Sequence, residues 1–215
     1  MHRFRKEGLL RTILFYSAFV LIFFCVRSSV FASYVVPTPS MNPTILEGDF
    51  FYANKLAYRL KVPFTKTSIF EWSVPARGDI VVFKFPGNER SLFTKRVIGV
   101  AGDRVEFIDG RLYINGRIIE QNFVELKGAA KIYEEDLLGT KHSVQHLSSV
   151  WRVDNMKIDV PEGHIFVMGD NRENSYDSRH WGMLPLGNIE GKLAVRWFSF
   201  DMKEFRPRFD RIRIM

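Results

Sequence analysis

Of 215 residues, 46% are hydrophobic, enough to bury a core and to exclude a disordered or collagen-like chain. A single cysteine, Cys25, excludes an intramolecular disulfide and a zinc site built from several thiolates. The formal charge of +7 invites a nucleic-acid partner, but residues 1–11 carry +3, residues 201–215 carry +2, and the 189 residues between hold only +2. With a near-neutral middle, no nucleic-acid partner is expected.

Residues 1–11 form a basic flank. Thr12 to Val26 then runs fifteen residues without a charge, between Arg11 and Arg27. As a helix it spans about 22 Å, against about 30 Å of bilayer hydrocarbon. Leu9 and Leu10 lengthen the apolar run, and the two arginines can snorkel outward. A core helix would need a polar face, which Thr12, Tyr16, Ser17 and Cys25 do not make. Two readings remain: an uncleaved anchor over residues 12–27, or a secretory signal cut after Val30-Phe31-Ala32, against which Arg27 stands. Both leave the N-terminus in the cytoplasm and everything after Arg27 outside.

From Tyr34 onward the pattern is mostly strand. Asp79 to Phe85 is a β-branched and aromatic run opened by Arg77-Gly78 and stopped by Pro86-Gly87. Val105 to Ile119 contains Asp109-Gly110 and Asn115-Gly116, two-residue turn signals that predict a small meander. Gly163 to Met168 and Lys192 to Phe200 read as later strands. Strands do not alternate with long helices, which argues against a doubly wound sheet and for a mainly β fold. Asn54 to Val74 has no clean period. Residues 127–155 are polar and read as a small subdomain or excursion, and residues 201–215 as a basic C-terminal tail.

Five stretches stand out from this background. Val35 to Thr44 places Ser40 between prolines, which alone describes a rigid turn. Gly48-Asp49 and Arg77-Gly78-Asp79 read as turns; the second is better explained by the strand that follows than by adhesion. In Thr94 to Asp103, Lys95 alternates with Phe93 and Val97. A strand there sets Lys95 and Arg96 on opposite faces, with one of them inward, although an exposed edge lysine is the ordinary case. Gly169 to Arg179 follows an apolar strand and is rich in Asp, Asn, Ser and Arg. Its acids lack the spacing of a calcium loop, and Arg172 and Arg179 intrude. His142 and His146 lack a third ligand and read as surface histidines. Spacing alone leaves a Ser-His-Asp triad open.

Taken together, these stretches resemble the bacterial type I signal peptidases. Ser40 to Asp49 is similar to the nucleophile box, Gly78 to Phe83 to the strand box after it, and Lys95 to Gly99 with Gly102-Asp103 to the general-base box. Gly169 to Arg179, with Trp181-Gly182, resembles the last box. The likeness spans roughly residues 26–200.

It implies coiled antiparallel β-sheets or a barrel behind one transmembrane helix, and favours the uncleaved anchor. The catalytic β-domain would span residues 28–200, on the periplasmic side of the inner membrane. It further implies a serine endopeptidase that removes N-terminal signal peptides from exported preproteins after small residues. Ser40 would be the nucleophile and Lys95 the general base. Thr38 and the Ser40 N–H would form the oxyanion hole, Ser175 would orient the amine, and Asp177 and Arg179 would support it as an ion pair. Ser–Lys chemistry requires no cofactor, and none is expected. The partners are preprotein signal peptides and the lipid bilayer, and the enzyme is expected to act as a monomer.

The lysine would have to work as a neutral amine. Starting from a pKa near 10.4, that needs a drop of about three units, on the order of 4 kcal/mol, for which an apolar pocket around Phe93, Val97 and Ile98 is the natural source. Val36, Met41 and Ile45 are expected to wall a shallow substrate pocket. Two departures from the family pattern are Pro39, where many members carry glycine, and a single anchor where many Gram-negative members have two. A narrow-client maturation peptidase of a conjugation or pilin system, or a non-catalytic membrane-tethered β-domain scaffold, are the alternative readings.

Overall fold

The computed structural model describes residues 11–21, 23–24, 30–62, 65, 67–147, 155–202 and 204–214. Residues 11–21 and 23–24 are helical, with Ile13, Leu14, Phe15 and Phe19 exposed. Among the described residues no helix is long and apolar enough to cross a membrane. Most of the basic flank, together with Cys25 and Arg27, lies outside them.

The rest is mainly β. Strands β1 (Phe31–Val35) and β2 (Asp49–Asn54) pair antiparallel, and β3 (Arg59–Lys61) and β4 (Ser68–Glu71) form a separate ribbon from the stretch without a clean period. β5 (Ile80–Phe85) and β6 (Asn88–Gly99) make a hairpin. The expected meander is β7 (Arg104–Ile108), β8 (Arg111–Ile114) and β9 (Arg117–Ile118). Its turns place Asp109, Gly110, Asn115 and Gly116 at positive φ, the mirror-image turn that such dipeptides favour.

β10 (Gln121–Lys127), β11 (Ala130–Asp136) and β12 (Lys141–Leu147) build a three-stranded sheet. The excursion expected at 127–155 thus begins within β10, and its residues 148–154 lie outside the described ones. β13 (Met156–Asp159) joins β7, and β14 (His164–Met168) returns to β6. β15 (Leu184–Pro185), β16 (Ile189–Asp201), β17 (Arg206–Pro207) and β18 (Arg213–Ile214) complete the chain.

No closed barrel forms among these strands. The largest sheet is open, in the order β1-β2-β16-β5-β6-β14-β15, with β17 and β18 attached to β16. Three register shifts in β16 coil the sheet without bringing its edges together. Ile80 to Phe83 of β5 form a continuous apolar run because both faces are covered there. Ile80 and Val82 enter a core with Val36, Met41, Ile45 and Phe51, whereas Val81 and Phe83 enter another with Val97, Ile165, Val167 and Leu184.

The C-terminal residues do not hang free as a tail. Arg211 Nη2 lies 2.9 Å from Asp49 Oδ2, beside the buried Arg196 at 3.3 Å, and Arg208 Nε donates to Ser199 Oγ at 2.8 Å. Burial raises the Asp49 pKa, but Arg211 and Ser199 outweigh it and hold the carboxylate below its ordinary value. Next to it, Gly48 sits at φ +84, with space for a Cβ only 2.1 Å from the Phe200 carbonyl oxygen. Gly48→Ala is therefore expected to lower the unfolding free energy by more than about 2 kcal/mol, read from urea denaturation.

Candidate active site

Ser40 stands in a short 3-10 turn, Pro39–Met41. Thr38, ahead of a proline, is held extended at φ −126 and ψ 149. Met41 is fully buried and anchors the turn in the core, while the Ser40 side chain stays at the lip of a cleft. The last box clamps this turn from the other side. Asn171 donates its backbone N–H to the Ser40 carbonyl and its Nδ2 to the Pro39 carbonyl, both at 3.1 Å.

Lys95 reaches the turn from β6. Its Nζ donates to Ser40 Oγ at 2.5 Å, and Thr38 Oγ1 lies 3.4 Å from the same oxygen. Only 4% of Lys95 is exposed. Arg96, on the opposite face, is buried as well, so both members of the pair point into protein. Burial pulls the Lys95 pKa down from 10.5 to about 8. Asp177 and Asp170 oppose that shift by favouring the ammonium, and Arg179 adds to it.

Those two aspartates are themselves engaged. Arg96 Nε and Nη2 donate to the two carboxylate oxygens of Asp170 at 2.8 and 2.7 Å. Asp177 accepts from Arg179 Nε and Nη2, both at 2.8 Å, and from the Gly169 N–H at 2.9 Å. It also caps the short helix Ser178–Trp181. Burial raises the Asp177 pKa, yet the Arg179 guanidinium outweighs it and keeps the carboxyl below the ordinary range. With guanidiniums on both, these carboxylates are not arranged to hold a hard cation, and no cluster of three metal-ligating side chains occurs among the described residues.

Ser175 donates its hydroxyl hydrogen to Asp177 Oδ2 at 2.7 Å, whereas the sequence reading set it against the amine. It remains close to the Ser40 turn. A Cβ on Gly169 would fall 2.3 Å from Ser175 Oγ and 2.4 Å from the Ser40 carbonyl oxygen, so only glycine fits between Ser175 and the Ser40 turn.

The cleft beside Ser40 has a volume of about 350 Å³. Tyr34, Val36, Val82, Leu92, Phe93 and Tyr176 line it, with Lys95 at its side. Val36, expected to wall a substrate pocket, is among these lining residues. Met41 and Ile45 lie beneath, packed with Phe51 in the core. Tyr34 and Tyr176 were missed, although each stands beside a residue that the motifs singled out.

His142 is another departure, because it is buried, not on the surface. Its Nε2 lies 3.4 Å from Glu135 Oε1 and 3.9 Å from Asp170 Oδ1. His146 is half-buried, with Nδ1 2.7 Å from Glu173 Oε1. Period-2 alternation about the apolar Val144 was the available signal for both.

A desolvated amine against an alcohol, at the mouth of an apolar cleft, is equipped to make the alcohol a nucleophile toward a carbonyl. That chemistry marks a class, the lysine-assisted serine hydrolases. A family model described as signal peptidase, peptidase S26, matches residues 9–198, and the chain belongs to that family. Signal peptidase I of Pseudomonas aeruginosa is 34% identical over 207 residues, covering 88% of this chain and 73% of that protein. Signal peptidase I of Aquifex aeolicus is 34% identical over 220 residues, 85% of this chain and 81% of that one. A crystal structure of a signal peptidase I from Enterococcus faecalis V583 aligns at 30% identity and a TM-score of 0.37, over 56% of this chain and 97% of that one.

Asp177→Asn is expected to strand the buried Arg179 and cost about 3–5 kcal/mol at pH 7. Because the folded-state pKa of Asp177 is depressed, its contribution is present above about pH 4 and fades as pH falls through the folded value. In urea titrations the gap between wild type and variant should therefore narrow from pH 4 towards pH 2.

Proposed function

We propose that this chain is a membrane-anchored serine endopeptidase that removes N-terminal signal peptides from exported preproteins, cutting after small residues. The observation that carries the reading is the 2.5 Å contact between the buried Lys95 amine and Ser40 Oγ. Membership in the signal peptidase family supplies the reaction. Ser40 is the nucleophile: Lys95, as free amine, takes the hydroxyl proton while Oγ attacks the scissile carbonyl. The resulting ammonium returns the proton to the departing amine, leaving an acyl-enzyme. The same amine then deprotonates a water that attacks the ester, and it gives that proton to Ser40 Oγ as the signal peptide leaves.

Thr38 and the Ser40 N–H serve as the oxyanion hole, with the Thr38 hydroxyl within 3.4 Å of the nucleophile. Pro39 supports this arrangement by holding Thr38 extended. Asp177 and Arg179 keep the Gly169 loop closed over the amine. Ser175 acts through Asp177, on which its hydroxyl rests. The apolar cleft selects small residues before the cut, and Val36 is one of its walls.

The stretch 12–27 is the anchor in this reading, with residues 1–11 cytoplasmic and the β-domain periplasmic. Support comes from its fifteen uncharged residues and from apolar side chains that are more than half exposed, as at Phe15 and Phe19. The enzyme acts as a monomer and needs no cofactor.

The test is purified protein with a preprotein carrying an Ala-x-Ala site, beside Ser40→Ala and Lys95→Ala. Wild type should cut and both variants should lose essentially all activity, while cleavage by wild type no better than the variants would leave a scaffold. Cleavage of one dedicated client and no ordinary preprotein would leave a narrow-client peptidase. Because the amine must be neutral, kcat/KM should rise with pH and level off above about 8, the value to which burial lowers Lys95. Thr38→Ala should lower kcat by about 10²-fold.

A further inference from the structure

We infer that the three-stranded sheet β10–β12 holds the nucleophile turn in place, with His142 as a positioning residue at the centre of the contact. This inference rests on the peptidase reading above and assigns a task to the sheet at residues 121–147, which overlaps the excursion expected at 127–155.

The contact begins in the backbone. Gln145 of β12 donates its N–H to the Asp170 carbonyl at 2.8 Å, and its carbonyl accepts from the Arg172 N–H at 3.0 Å. Gln145 and Asn171 thus form a parallel bridge, which adds the last box to the edge of β12. Asn171, gripped from β12 on one side, holds the Pro39 and Ser40 carbonyls on the other, at 3.1 Å each. A continuous path of hydrogen bonds therefore runs from β12 to the residue that bears the nucleophile.

Side chains fix the register of that bridge. Arg172 binds Glu135 of β11 through its two terminal guanidinium nitrogens, with Nη1 to Oε2 at 2.7 Å. Arg96, the neighbour of Lys95, binds Asp170 through two more. The His142 ring, 4% exposed, stands between these two ion pairs, 3.4 Å from Glu135 and 3.9 Å from Asp170. At the rim, Glu173 accepts from the Leu147 N–H at 2.8 Å and meets His146 at 2.7 Å. Arg96, Arg172, Glu135 and Asp170 balance one another in charge, so the ring is not needed to neutralise them; it sets a polar group between the two carboxylates.

Of the cleft walls, Tyr34, Val36, Val82, Leu92 and Phe93 come from other parts of the chain (β1 and the segment after it, β5, and β6), and Tyr176 comes from the last box itself, so most of the cleft is independent of β12. Loosening the β12 contact should shift Ser40 relative to Lys95 and leave most of the cleft intact. A misplacement of about 1 Å at reacting atoms can cost about 10²-fold in rate. The signature is therefore a fall in kcat at constant KM, which general loss of stability does not give below the melting transition.

The experiment uses the full chain with an internally quenched peptide carrying an Ala-x-Ala site. Wild type, Ser40→Ala, His142→Leu and His142→Gln are compared well below their melting temperatures. His142→Leu removes the ring without leaving a charge unpaired, and should lower kcat about tenfold or more with KM within about twofold. His142→Gln retains a donor and an acceptor and should recover most of the loss. Glu173→Gln, at the rim, should fold like wild type and lower kcat several-fold at unchanged KM. Wild-type kcat in His142→Leu and Glu173→Gln, or a rise in KM that accounts for the loss, would overturn the inference while leaving the peptidase reading standing. Equal cleavage by wild type and Ser40→Ala would instead remove that reading, and this inference with it.

Discussion

Desolvation of the Lys95 amine is the constraint on which the rest of the site depends. Stripping water from an ammonium is costly, and here that cost is turned into a pKa of about 8 beside a serine hydroxyl. The effect requires β6 to be covered on both faces at the point where Lys95 and Arg96 diverge. Arg96, facing the other way, is neutralised by Asp170, so the protein buries two adjacent cations by two different means. One is paired and stays charged. The other is buried against Ser40 and loses much of its preference for charge.

The aspartates around the amine reveal a balance. Asp170 and Asp177 both favour the ammonium, but burial is the larger effect. Each is held by a guanidinium, and Arg179 pushes the amine the other way. The same ion pairs hold the Gly169 loop against the Ser40 turn. Electrostatics and architecture are thus one device: the groups that tune Lys95 also hold Ser40 within its reach.

Much of this was legible in the sequence, for identifiable reasons. The runs at 79–85, 105–119 and 163–168 were readable as strands because β-branched residues and Asp-Gly or Asn-Gly turns are local signals. Ser40, Lys95 and the Gly169–Arg179 loop stood out because their composition departs from that background, and the resemblance put them in order. What escaped was non-local. Met41 and Ile45 read as pocket walls only on the strength of the resemblance, and the turn at Ser40 carries them into the core with Phe51. Arg208 and Arg211 look like a free tail because Asp49, their partner, lies far back in the chain. His142 reads as a surface residue until Glu135 and Asp170 are brought to either side of it. The barrel expectation failed because closure depends on how far β16 coils the sheet, which no local pattern encodes.

The most direct measurement is the titration of the Lys95 ε-methylene by carbon NMR in lysine-labelled protein, assigned with a Lys95→Arg variant. A midpoint near pH 8, coincident with the rise in kcat/KM, is the result predicted from the burial of this amine. A midpoint near the ordinary lysine value of 10.5, with full activity already reached at neutral pH, would contradict the account.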